Sequence, residues 1–76
     1  MEELIEILEG IEDGVDYENC TTLIDDNYLD SLAIISLIAE LEEKFDVQIP
    51  TVEIVPDNFN SAAAIWSLVT RLQEEG

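Results

Sequence analysis

The sequence predicts an all-α fold, a small four-helix bundle of three main helices plus one short helix, with a long first loop. Three observations lead there. Apolar residues recur at helical spacing in three separate stretches, and no two segments alternate with the period of two that strands require. Polar capping residues precede the second and last of these stretches, while glycine follows the first and proline the second. Hydrophobic residues make up 47% of the 76 positions, enough to fold a chain whose charge of −17 would otherwise suggest disorder.

The first helix is expected from Glu2 to about Glu12, with Leu4, Ile5, Leu8 and Ile11 inward and Glu2, Glu3, Glu6 and Glu9 opposite. Glutamates in its first turn suit the helix dipole, and Gly14 offers a stop. From Val15 to Leu29 no period holds, which predicts a long loop. Its spaced apolar residues, among them Tyr17, Leu23 and Leu29, suggest that it is pinned across the bundle. The strongest helix begins at Asp30-Ser31, either of which suits an N-cap, and carries Ile34, Ile35, Ile38, Leu41 and Phe45. Ile49-Pro50 ends that segment, because the residue before proline avoids the α region. Pro56 limits any helix between Thr51 and Phe59 to a short turn. Asn60 or Ser61 then caps a last helix running through Gln73. The expected core is Leu4, Leu8, Ile35, Ile38, Leu41, Phe45, Ile65, Leu68 and Val69.

The length allows one domain, 1–76. Nineteen acidic side chains face only Lys44 and Arg71, and there is no histidine. Such a chain is repelled by phosphate backbones and by anionic membrane surfaces, which leaves basic protein surfaces as its charged partners. Without histidine there is no Ser–His or Cys–His nucleophile pair, so a non-catalytic protein is expected. No metal site is expected either. Asp25-Asp26-Asn27-Tyr28-Leu29-Asp30 fails the calcium-loop pattern, with Asp30 where glycine is required and Ser36 where the terminal glutamate belongs. The lone Cys20 and the lack of an apolar run near ~20 residues point to a cytoplasmic protein that does not insert in membranes, and the solvated charge is expected to keep it monomeric.

Function is legible around the second helix. Leu29-Asp30-Ser31-Leu32 opens it, and Leu41-Glu42-Glu43-Lys44-Phe45-Asp46-Val47-Gln48-Ile49-Pro50 closes it. In a short, acidic, helical chain this arrangement resembles the acyl carrier protein family. The resemblance implies that Ser31 receives 4′-phosphopantetheine from coenzyme A by the action of a phosphopantetheinyl transferase. The arm would then hold an acyl or aminoacyl group as a thioester and deliver it between biosynthetic enzymes, those of fatty acid biosynthesis among them. Asp30 would help to position the transferase. The bland alternative is that Ser31 and Asp30 merely cap a helix, as most Asp-Ser pairs at helix starts do.

The resemblance also implies that the outward stripe of the second helix recognises partners, here Leu32, Ala33, Ser36, Ala39, Glu40 and Glu43. Ala33 and Ser36 are uncharged, so charge is displaced to Glu40, Glu42 and Glu43. Leu-Asp-Ser after a short acidic turn, and the run from Ile49-Pro50 through Glu53 to Asn58-Phe59-Asn60-Ser61, are similar to D-alanyl carrier proteins of teichoic-acid modification. Such carriers are loaded by an AMP-forming ligase. A reading from another class is an acidic helical adaptor without an arm.

Overall fold

The computed structural model describes residues 2–75. α1 spans Glu2–Ile11, α2 Ser31–Phe45, a 3₁₀ turn Thr51–Glu53, α3 Pro56–Phe59 and α4 Ala62–Glu75. No strand occurs among the described residues. α1 packs on α2 and α4, α2 on α4, and α3 on α4. The Cα radius of gyration is 11.2 Å, close to the ~11 Å that a well-packed chain of this length should have.

Each boundary has a local cause. α1 ends at Ile11, one residue short of expectation, and Gly14 turns the chain at φ 81°. Asp30 is the N-cap of α2: its backbone is extended and its Oδ1 accepts the Ala33 N–H at 2.8 Å. Asp46 closes α2 in the left-handed region, a conformation that aspartate tolerates. Pro56 does more than limit a turn. It begins α3 at the first helical position, where its missing N–H costs nothing, after an extended Val55. The Oγ of Ser61 accepts the Ala64 N–H at 3.0 Å, so Ser61 caps α4, which runs two residues past the expected Gln73.

Leu4, Leu8, Leu41, Ile65, Leu68 and Val69 are buried as expected, while Ile38 and Phe45 are half-buried. Phe45 meets Trp66 edge to face, with ring centroids 5.6 Å apart. The expectation fails at Ile35, which is 63% exposed, whereas Leu37 is fully buried. The inward face of α2 is Ile34, Leu37, Ile38, Leu41 and Phe45, the i, i+3, i+4, i+7 pattern of one helix side. Ile35 lies two residues, roughly 200°, from Leu37 around a 3.6-residue turn. Adjacent apolar residues at 34, 35, 37 and 38 had merged two faces into one broad stripe.

The long loop is pinned as predicted. Tyr17, Leu23 and Leu29 are buried, and Val15, Cys20 and Ile24 pack beside them. The Tyr17 hydroxyl donates toward the carbonyls of Leu8, at 3.2 Å, and Glu12, tying the loop to the end of α1. Burial, reinforced by Glu12, Glu9, Asp13 and Cys20, pushes this phenol from 10.0 up to about 12. Its protonated form is therefore favoured in the fold: the contribution is full below pH 10.0 and is lost as pH rises toward about 12. Urea melts across that alkaline window should show stability falling with pH. Tyr17→Phe should remove the tyrosinate part of that slope and cost about 1 kcal/mol at neutral pH. An unchanged slope in the variant would assign alkaline sensitivity to other groups.

Candidate functional site at the start of the second helix

Four N–H groups at a helix start lack intrahelical acceptors. In α2 the Asp30 side chain satisfies one of them, the Ala33 N–H, while its carbonyl accepts the first regular helical bond from Ile34 N–H at 2.9 Å. The N–H groups of Ser31 and Leu32 have no acceptor among the described residues. Ser31 is exposed, so its hydroxyl lies in solvent beside two free donors and the positive end of a 15-residue helix. This is a place where a phosphodiester's negative charge is favoured. The fit is to an anion held by backbone donors alone. Lys44 lies in the last turn of α2, and Arg71 is 3.0 Å from Glu53, so neither cation is at Ser31.

Asp30 is exposed and committed to the cap. Below Ser31, Leu32, Ser36, Ala39, Glu40 and Glu43 are exposed, and apart from the adjacent pair Ala39-Glu40 they follow one another at spacings of three and four. Ala33 departs from the expected stripe. It is half-buried and packs against the core, because it precedes the inward Ile34 and Leu37 by one and four residues. Ile35 takes the outward place that the sequence reading gave to Ala33. Glu42 also leaves the outward face: it is half-buried, and its Oε2 accepts the Ile49 N–H at 3.0 Å, securing the return toward Pro50. The upper half of the exposed stripe is thus Leu32, Ile35, Ser36 and Ala39, with no charge, and its acids are Glu40 and Glu43.

Other apolar side chains are exposed on flanking segments: Tyr28 before Ser31, and Val52, Ile54 and Val55 around the 3₁₀ turn. Sequence reasoning missed these as surface features. The signal for Ile35 was available, since it follows Leu32 by three residues and precedes Ala39 by four. Between the loop, α2 and α3, a slot of about 120 Å³ is lined by Ile24, Ile34, Ile54, Val55, Pro56 and Phe59. That volume is about four times a water molecule's share of the liquid, too little to enclose a long hydrocarbon chain.

Residues 4–69 match the family model described as a phosphopantetheine attachment site. The chain is 40% identical over 73 residues to a D-alanyl carrier protein of Streptococcus sanguinis (strain SK36), covering 93% of this chain and 91% of that protein. It is 37% identical over 76 residues to D-alanyl carrier proteins of Streptococcus gordonii (strain Challis) and Streptococcus thermophilus (strain CNRZ 1066), with the same coverage. No solved structure matches the chain.

Proposed function

The chain belongs to the phosphopantetheine-attachment family, and on that premise we propose that Ser31 bears the arm and that the cargo is an amino acid, D-alanine. The family consists of carriers that are not themselves enzymes, and its prosthetic group is 4′-phosphopantetheine. When bound, that group supplies a terminal thiol on which cargo rides as a thioester. The rest falls to the chain's own residues, acting as a single carrier domain.

Ser31 offers an unencumbered hydroxyl, because the capping role belongs to Asp30. In arm transfer the Ser31 Oγ–phosphorus bond forms, the bond from that phosphorus to the 3′,5′-ADP half of coenzyme A breaks, and the hydroxyl proton departs. The proton acceptor must come from the transferase or from solvent, since the chain contains no histidine and Asp30 is engaged with Ala33 N–H. The Ser31 and Leu32 N–H groups, which have no acceptor among the described residues, would be the donors available to the phosphodiester. Leu32, Ile35 and Ala39 suit a partner with an apolar contact patch, and Glu40 and Glu43 suit a basic rim around it.

The observation that carries the cargo assignment is the similarity to D-alanyl carrier proteins along 93% of the chain. The small slot agrees, because an amino acid on the arm needs no apolar tunnel, whereas a fatty acyl chain gains by entering one. The test is to incubate the arm-bearing protein with ATP and an AMP-forming ligase that activates D-alanine, and in parallel with a long-chain acyl synthetase. The expected result is a mass gain of one alanyl group, removable by neutral hydroxylamine, from the first reaction only. Loading of the long acyl chain with no alanylation would overturn the assignment and return the protein to acyl transfer.

A further inference from the structure

The loop that leads into Ser31 is fastened by one side chain from the far half of the chain. Asn60 lies between α3 and α4 and is not needed as a cap, since Ser61 takes that role. Its Oδ1 accepts the N–H groups of Ile24, at 2.9 Å, and Asp25, at 3.1 Å. Its Nδ2 donates to Asp25 Oδ2 at 3.3 Å, and its backbone carbonyl accepts the Leu23 N–H at 2.9 Å. Three consecutive loop residues are thereby held by a residue 35 to 37 positions later in the chain.

What they hold leads directly to the attachment serine. The Leu23 carbonyl accepts the N–H of buried Leu29 at 3.0 Å, closing the segment on itself. Inside it, Asp26 N–H reaches Thr22 and Asn27 N–H reaches Ile24, with Asn27 in the left-handed region at φ 60°. Leu29 is followed by Asp30 and Ser31. A continuous path of bonds therefore runs from Asn60 through Leu23 and Leu29 to the cap of α2.

We infer that Asn60 is a positioning residue for arm attachment: it holds the pre-serine loop in the arrangement that a phosphopantetheinyl transferase engages beside Ser31. This rests on the reading that Ser31 takes the arm. Asparagine suits the role because one planar amide accepts two N–H groups and donates to a carboxylate. Aspartate keeps the acceptors but sets a second negative charge against Asp25. If the loop occupies its competent arrangement only part of the time, apparent affinity falls by that fraction and the chemical step does not change. The signature is accordingly a raised KM with kcat preserved.

The experiment follows arm transfer from coenzyme A by intact mass for wild type, Asn60→Asp, Asp25→Asn and the double variant, all well below their melting temperatures. Amide exchange at Ile24 and Asp25 is measured alongside. In Asn60→Asp, KM for the carrier should rise about tenfold with little change in kcat, as expected when the bond to Asp25 is replaced by a like-charge contact. Exchange should quicken at the loop amides and not in α4. In the Asp25→Asn background the same substitution should change KM less than about twofold, because an amide at 25 can donate to a carboxylate at 60. Asn60→Ala, which introduces no like charge, should also raise KM and serves if Asn60→Asp does not fold. An unaltered KM despite faster loop exchange overturns the inference alone, as does a double variant no better than Asn60→Asp. Failure of the wild type to take the arm removes the carrier reading and this inference with it.

Discussion

Ser31→Ala should take up no arm, while wild type incubated with coenzyme A and a broad-specificity phosphopantetheinyl transferase gains the mass of one phosphopantetheine. The clarity of this result depends on the cap. Were Ser31 the residue that satisfies the first turn, its loss would cost about 1 kcal/mol, and a failure to react would be open to two explanations. Asp30 performs that task through Ala33 N–H, and Ser31 is exposed, so the substitution should change stability by no more than about 0.5 kcal/mol. Melting curves of the two proteins should therefore overlay while their masses diverge. The other serines, Ser36, Ser61 and Ser67, provide the internal control. Ser61 is occupied in capping α4, and Ser36 and Ser67 lie within helices without free N–H donors beside them. A mass gain retained in Ser31→Ala would move attachment to one of these. A wild type that stays unmodified with several transferases would leave the acidic adaptor as the better reading.

The parts of this molecule that were legible in its sequence are those whose cause is local. The starts of α2 and α4 follow from Asp30-Ser31 and Ser61, because caps act within a few residues, whereas α2 ends at a left-handed Asp46, ahead of the Ile49-Pro50 constraint. The family was legible through the motif around Ser31, and a family model matches residues 4–69. The rotation of α2 was not, because four apolar residues at 34, 35, 37 and 38 satisfy two overlapping helical faces. Only contact with α1 and α4 chooses Leu37 over Ile35, and Ala33 is drawn inward by the same choice. Glu42 was assigned to the surface because charge predicts exposure, yet it serves the Ile49 N–H seven residues on. The Asn60 latch spans 35 to 37 positions and leaves no periodic trace.

The charge pattern gains a similar resolution. Both cations lie away from Ser31, Arg71 with Glu53 and Lys44 at the far end of α2. The hydrogen bond from Arg71 holds the Glu53 carboxyl below its ordinary range, with Asn58 adding a weaker contribution. On the proposed attachment at Ser31, the arm's phosphate would meet backbone donors with neither Lys44 nor Arg71 committed to it, which would leave its charge available to a basic partner. Encounter should be steered by the acids around the site, while Leu32 and Ile35, both exposed, should form the contact itself.

The rotation of α2 makes the second large prediction: Ile35, expected in the core, is exposed, while Leu37, which the expected core did not include, is buried. Leu37→Ala removes a side chain with no exposed surface from the contact among α1, α2 and α4. Fully buried leucines lose about 2–5 kcal/mol on truncation, the transfer loss plus the cavity left behind. Domains commonly have only about 5–15 kcal/mol in total, and short chains lie toward the lower end. The variant should therefore melt at least ~10 °C below wild type, given the roughly 4–8 °C that each kcal/mol shifts a domain of this size. Ile35→Ala, by contrast, trims a side chain that is 63% exposed and exchanges it for a better helix former. Its unfolding free energy in urea should stay within about 0.5 kcal/mol of wild type. The effect of Ile35→Ala should appear instead in loading, as a weaker interaction with the transferase or ligase at unchanged fold. If Ile35→Ala proved the destabilising change and Leu37→Ala the silent one, α2 would be turned by two residues, and the apolar contact face beside Ser31 would be buried.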